Sequence, residues 1–347
     1  PPPPVLVGPV SCVSEPALPD IRPQGKVKHS VLALIRQRIY GISLGYEDLN
    51  DHTDLRNDPL FQTVVERDTS LASDSTLCRF EQRADRESAV ALSKLLVELF
   101  IESFDAAPEE LILDFDATDD PVHGMQEGRF FHGYYDHYCF LPLYVFCGSQ
   151  LLVPYLRPSN IDAAKHTWAI LALLVRRFRQ EWPDVRIIFH GDSGFCRYRI
   201  LEWCNRNDVG FIVGLAKNSR LLKACSRTRR RSEKLQARAN RTVRQFIDIG
   251  YAAGPWKQRQ RVIVKAEHSM HGPNTRFVVT NLPGTARDLY EKTYCARGDM
   301  ENRIKEQQLF LFADRTSCSR WWSNQMRLLL SSLAYVLFDA MRRLALK

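Results

Sequence analysis

The segment LILDFDATDDPVHG, Leu111 to Gly124, runs an apolar stretch directly into four aspartates, Asp114, Asp116, Asp119 and Asp120, within seven residues. The apolar part predicts a β-strand. Carboxylates crowded at its end repel one another and resist burial, so a fold accommodates them only with bulk water, arginine partners or a bound cation. A second carboxylate occupies the same kind of place. VRIIFHGDSGF reads as a buried strand ending on Asp192, with Ser193 and Gly194 turning the chain. On pattern alone Asp192 is either a cap of the next helix or a functional carboxylate. Both groups sit at the carboxyl ends of strands, the edge at which open α/β sheets build their sites.

The surrounding pattern predicts an α/β order. After LILDFDAT come RFFHGYYDHYCF and LPLYVFC as strands, and then NIDAAKHTWAILALLVRRFRQEW as a helix with Leu171, Leu174, Val175 and Phe178 on one face. A helix around Tyr198 to Asn207 and a strand, GFIVGLA, follow the Asp192 strand. Upstream, residues 1–24 are proline-rich and read as disordered, and the opening run of four prolines leads us to expect a missing start. Residues 25–108 read as a helical domain for DNA binding or dimerisation. Val31, Leu34, Ile35 and Ile39 form one stripe, and Leu92, Leu95, Leu96, Leu99 and Phe100 another. SLASDSTLCRF between them fits a helix-turn-helix or a plain helical bundle.

Between Lys217 and Arg244 eleven Lys or Arg face one acid, Glu233, and the run Arg227 to Arg231 is RTRRR. Two readings stand: a solvated, partly disordered basic loop, or a phosphate-binding surface that includes Arg229, Arg230 and Arg231. The segments RQFIDIGYAAGPW, RVIVKAEHSM and RFVVTNL follow as strands. We read residues 216–285 as a basic, β-rich insertion separate from the main sheet. Within it Trp256, beside Lys257, Arg259 and Arg261, either packs in a core or stacks on a flipped base. A net charge of +8 agrees with an anionic partner. Nine cysteines without a C-x-x-C pair argue against a zinc ribbon and for reduced thiols in a cytoplasm. No signal peptide and no membrane span is read; the nearest candidate, LLLSSLAYVLFDAMRRLAL, carries Asp339 and two arginines and reads as a core helix.

Late in the chain, Tyr294, Arg297, Glu301, Lys305 and Gln308 are spaced to share one stripe of a continuous helix. An ion-pair ladder explains the charges of Arg297, Glu301 and Lys305. So does a site in which two strand-end aspartates and a helical glutamate meet around two divalent cations. All-oxygen ligands suit Mg²⁺, with Mn²⁺ as substitute, and two such ions clamp the attacking and leaving oxygens of an in-line phosphoryl transfer. Arg297 and Lys305 would then hold a DNA phosphate beside them.

The order DFDATDDPVHG, GDSGF, YCARGDMENRIKEQ resembles the DDE transposases of bacterial insertion sequences, nearest the insertion sequence 1380 family, over residues 50–320. The resemblance implies an RNase H-like catalytic core, here 109–215 with 286–347, interrupted by a β-rich insertion. It puts the D-x-T element on Asp116, Ala117 and Thr118, the second aspartate on Asp192 and the glutamate on Glu301; Asp114, on the same strand face as Asp116, is the alternative first aspartate. Tyr294 and Arg297 match the family's tyrosine and arginine. The lysine that related groups place seven residues after the glutamate is Gln308 here, and Lys305 is the candidate to take its phosphate role. The implied activity is a bacterial, cytoplasmic transposase that binds double-stranded DNA at terminal inverted repeats, cleaves it and joins the 3′ ends to target DNA, acting as a homo-oligomer and requiring no membrane. The alternatives are a nuclease of the same core without strand transfer, and a non-catalytic DNA-binding protein derived from a transposase.

Overall fold

The structure, a computed structural model, describes residues 20, 22, 25, 27–254 and 256–345. The expected disorder of residues 1–24 falls outside these, apart from Asp20 and Arg22. The chain divides into two compact units. One takes the described residues up to Asp105 with Ala117–Ile161 and the segment from Asn302 onward; the other takes Ala106–Asp116 and Asp162–Glu301.

The first unit begins with helices α1 (Val31–Ser43), α2 (His52–Leu55), α3 (Pro59–Val64), α4 (Asp74–Gln82) and α5 (Arg86–Glu102). The Ser30 hydroxyl caps α1 by accepting from the Ala33 amide, and Asp85 with Ser88 makes a reciprocal capping box at α5. Both apolar stripes expected of these helices are buried: Leu34, Ile35 and Ile39 in α1, and Leu92, Leu96 and Phe100 in α5. A charged cluster lies among them. Glu81 accepts from Arg38 and from Arg327, each at 2.8 Å, so a buried carboxylate faces two guanidinium groups. Strands β2 (Asp120–Pro121), β3 (Phe130–His132) and β4 (His137–Phe140) form a small antiparallel sheet in the order β2-β4-β3, and β5 (Leu143–Cys147) pairs with β6 (Gln150–Tyr155) as a hairpin.

The second unit contains β1 (Glu110–Ala117, its last residue excepted), α6 (Thr167–Glu181), β7 (Arg186–Gly191), α7 (Tyr198–Arg206), β8 (Gly210–Leu215), α8 (Ser219–Ala224), α9 (Ser226–Ala239), β9 (Val243–Tyr251), β10 (Gln260–Ser269) and β11 (Gly272–Thr280). Its strands run in the order β1-β7-β8-β11-β10-β9. The first three are mutually parallel, and β8, β11, β10 and β9 pair antiparallel. Along β1, Leu111, Leu113 and Phe115 are buried, and period two leaves Asp114 and Asp116 together on the opposite face. In α6 the expected face, Leu171, Leu174, Val175 and Phe178, is the buried one.

Two expectations are corrected here. Strands β9–β11 are not a separate β-structure: Thr280 to Phe277 pair with Ile212 to Leu215, so the sheet continues through them. An exposed β8 edge would leave a row of unpaired backbone groups, and the apolar runs Val262–Val264 and Phe277–Val279 supply strands buried on both faces to cover it. The basic stretch is not a disordered loop either. It folds as α8 and α9, and the sequence RTRRRSEKLQARA is composed largely of strong helix formers.

After β11 comes a short helix, α10 (Ala286–Asp288), then a π-turn over Leu289–Tyr294, a 3₁₀ turn over Cys295–Arg297, and helices α11 (Gly298–Phe310) and α12 (Trp321–Ala345). Much of α12 is buried, as expected of a core helix, with Leu328, Leu329, Leu330 and Tyr335 among its enclosed residues. Among the described residues no helix is long and apolar enough to cross a membrane.

Candidate active site

Parallel register brings the first two carboxylates together. Phe115 pairs with Gly191, so the next residue on each neighbouring strand is Asp116 and Asp192 respectively. Both are half-buried, at the carboxyl ends of β1 and β7. Asp192 turns its Oδ1 onto the Gly194 amide at 2.8 Å and caps the 3₁₀ turn Ser193–Phe195. A Cβ on Gly194 would stand 2.9 Å from that oxygen, so only glycine lets the carboxylate fold over its own turn. The capping alternative for Asp192 is therefore realised through one oxygen.

Beneath this pair lies a layer centred on His190, a residue that sequence reasoning did not single out. Asp114 pairs in register with His190, and the imidazole Nδ1 is 3.4 Å from the Asp114 Oδ1. His190 is fully buried, and its ring meets the edge of Tyr294 at 5.6 Å. The Tyr294 hydroxyl reaches over Gly214 of β8: a Cβ there would fall 2.6 Å from that oxygen and 2.8 Å from the Ser193 amide nitrogen. Tyr294 thus stands against the backbone that carries Asp192. The available signal was Gly214 itself, a glycine inside a strand, which marks close approach by another group.

The late stripe is interrupted. Tyr294 ends a π-turn and Arg297 ends a 3₁₀ turn before α11 begins at Gly298, so a rotation of 100° per residue does not carry from Tyr294 to Glu301. The Arg297 side chain lies outside the described residues. Within α11 the spacing does hold: Met300, Ile304 and Gln307 are buried, while Glu301 and Lys305 are exposed. Gln308 donates to the Asp119 carbonyl at 3.1 Å, which gives the position of the family lysine a structural task. Glu306, also on α11, pairs with Arg342.

The donor chemistry fits a hard divalent cation, with oxygen ligands at adjoining strand ends. Among the described residues, however, no three acidic, histidine or cysteine side chains are gathered at metal-holding distance, so Glu301 does not form a ready-made third ligand with Asp116 and Asp192.

Helix α9 presents a cationic outer face. Arg230 and Arg231 are exposed and Arg229 is half-buried, while the one buried residue, Ser232, donates its hydroxyl to the Ala266 carbonyl at 2.9 Å and ties the helix to β10. A groove of about 430 Å³ lined by Arg227, Thr228, Arg231, Gln245, Phe246 and Ile247 runs beside it. Trp256 is half-buried, stacked on Tyr198 at 6.0 Å and edge-on to Tyr251 at 5.7 Å, so its indole packs in a cluster of rings. Burial pushes the Cys196 and Cys204 thiols up to about 12, which makes them poor nucleophiles.

The family model "Transposase DDE domain group 1" matches residues 13–347. Among solved structures the chain is similar to the piggyBac transposase in its synaptic complex with hairpin DNA, with a TM-score of 0.50 and 10% identity, covering 93% of this chain and 69% of that one. At that identity the likeness shows the fold, and the expected RNase H-like α/β architecture is borne out by it. No curated protein matches the chain in sequence.

Proposed function

The chain belongs to the DDE transposases of domain group 1, and from that premise we propose that it binds the terminal inverted repeats of its own element, cuts the DNA there, and joins the freed 3′ ends to a target. The observation that carries this reading is the in-register juxtaposition of Asp116 and Asp192 at the ends of two parallel strands. We assign Asp116, Asp192 and Glu301 as the ligands of two Mg²⁺ ions, with Mn²⁺ as substitute. When bound, the ions supply charge stabilisation to the attacking and leaving oxygens.

The protein's own groups have the remaining tasks. Asp192, held by the Gly194 amide, offers its carboxylate in a fixed orientation. The Tyr294 hydroxyl, set beside the Ser193 amide, is positioned to orient a phosphate oxygen. The arginines of α9 hold the duplex through its phosphates without reading sequence, and Lys305 takes the role of the family's later lysine. In the DNA-bound assembly Glu301 closes onto the two aspartates, which is consistent with its exposed place in the first turn of α11. From its motifs we place the chain with the insertion sequence 1380 transposases of bacteria, with a homo-oligomer on paired ends as the working unit.

Asp192→Asn removes charge with little change of shape. Cleavage of repeat-end DNA should fall by on the order of 1,000-fold while binding survives. Full cleavage by this variant overturns the assignment. A nuclease without strand transfer would give cut ends and no joined, larger products on a gel. Replacing Arg229, Arg230 and Arg231 by alanine should flatten the salt dependence of duplex binding by roughly 0.9 per lost phosphate contact, and an unchanged slope removes α9 from the interface.

A further inference from the structure

The strands β3 and β4 pair Phe131 with Tyr138 and His132 with His137. Alternation puts Arg129, Phe131 and Tyr138 on one face and Phe130, His132, His137 and Cys139 on the other. The first face is open to solvent. Phe131 is 53% and Tyr138 46% exposed, their rings meet edge to face at 5.6 Å, and the Arg129 guanidinium lies 4.4 Å over the Tyr138 ring. At the tip Tyr134 is 85% exposed and touches Tyr135 edge-on at 5.0 Å. So much exposed ring surface on one short hairpin calls for a partner.

The hairpin is also rigid at its base. Cys139 and Phe140 are buried, Ser159 donates to the Phe130 carbonyl, the Val122 amide donates to the Tyr138 carbonyl, and Phe140 meets Trp321 edge-on at 5.4 Å. His137 stands 2.9 Å from Asp119, which follows Asp116 by three residues in the chain. A rigid set of rings with a guanidinium over one of them suits base faces and backbone phosphates together. An apolar protein partner would be met by an interface core depleted of charge.

We propose that Arg129, Phe131, Tyr134 and Tyr138 form a stacking platform for unpaired bases of the DNA substrate, a role that rests on the transposase reading above. The rings take the base faces and Arg129 takes the adjoining phosphate.

The test uses the full chain and fluorescence anisotropy with three probes: a short single-stranded oligothymidylate, an abasic strand of the same length, and repeat-end duplex. Phe131→Ala and Tyr138→Ala should each weaken oligothymidylate binding at least about fivefold and leave abasic binding unchanged, while Tyr138→Phe retains wild-type affinity. Thermal melts of these exposed-site variants check that they fold. Equal losses on both single strands, or no loss on either, overturn the platform. If the alanine variants instead turn an oligomer into a monomer in sedimentation with oligothymidylate binding intact, the face joins copies of the chain and the platform is likewise overturned. Failure of the wild-type protein to bind any of the probes defeats the transposase reading itself, whereas tight duplex binding with insensitive variants defeats only the platform.

Discussion

Asp116 and Asp120 are four residues apart in one acidic segment, and the fold treats them in opposite ways. Asp116 ends β1 half-buried, next to the strand end that leads to Asp192. Asp120 is 1% exposed; the Thr316 hydroxyl donates to its Oδ2 at 2.9 Å, and among the described residues no hydrogen-bond partner reaches its Oδ1. Burial holds the Asp120 carboxyl well above the ordinary carboxylate range, with Asp314 and Asp119 adding repulsion. The other two aspartates of the segment each meet an imidazole, Asp114 that of His190 and Asp119 that of His137. The crowded carboxylates are thus set in different surroundings, two beside imidazoles and one in a buried place that favours its uncharged form.

The largest test of this contrast is a swap of asparagine into the two positions. Asp116→Asn should reduce cleavage by on the order of 1,000-fold with little change in melting temperature, because it removes a ligand at a strand end. Asp120→Asn should leave cleavage near wild type. Equal loss in both variants would place the two residues in one functional group. If Asp114→Asn loses cleavage and Asp116→Asn does not, the first ligand is Asp114.

Asp120 also makes a statement about pH. Its folded pKa is raised, so its contribution to stability is complete below the unfolded value and is lost as pH rises through the folded one. Denaturant melts should therefore find Asp120→Asn more stable than wild type at neutral pH, by about 1–3 kcal/mol, with the difference vanishing near pH 4. A difference that does not change with pH would mean that the fold leaves the Asp120 carboxyl unshifted.

His52 provides the opposite sign. It is fully buried, lies 3.1 Å from the Arg38 guanidinium and has its pKa lowered to about 4, chiefly by burial. The unfolded chain binds the extra proton between about pH 6.5 and 4, so stability should fall as pH falls through that window, by at most about 3 kcal/mol. His52→Gln should flatten that acid limb and leave the neutral limb set by Asp120 unchanged. Loss of both limbs together would couple two groups that share no contact in the structure.

Why some of this was legible and some not follows from sequence distance. The period-two face of β1, the strand end at Asp192 and the stripes of α1 and α5 depend on residues a few positions apart, and the sequence displays them directly. The buried setting of Asp120 includes Thr316, 196 residues on, and the continuation of the sheet depends on pairing β11 with β8. Neither leaves a local trace. The helix α9 was legible from composition, but the density of charge in RTRRR drew attention to solvation instead of helix propensity. The π-turn before α11 was hidden because a helical projection assumes a constant rotation per residue.

The smallest expected effect is that of Glu306→Gln, set against its neighbour Glu301 on the same helix α11. Glu301 is exposed in the first turn, whereas Glu306, five residues on and about 140° further around, pairs with Arg342 on α12. That pair is partly solvated, so Glu306→Gln should cost less than about 0.5 kcal/mol of stability and leave cleavage near wild type. Glu301→Gln should abolish cleavage in Mg²⁺ and in Mn²⁺ alike, because the missing charge is a ligand's and not a matter of ion size. The π and 3₁₀ turns make this comparison sharper than the interrupted stripe does, since it uses only positions inside α11, where the rotation is regular. Equal activity of the two variants would remove Glu301 from the ligand set, and loss in Glu306→Gln alone would assign the third carboxylate to the face now occupied by Arg342.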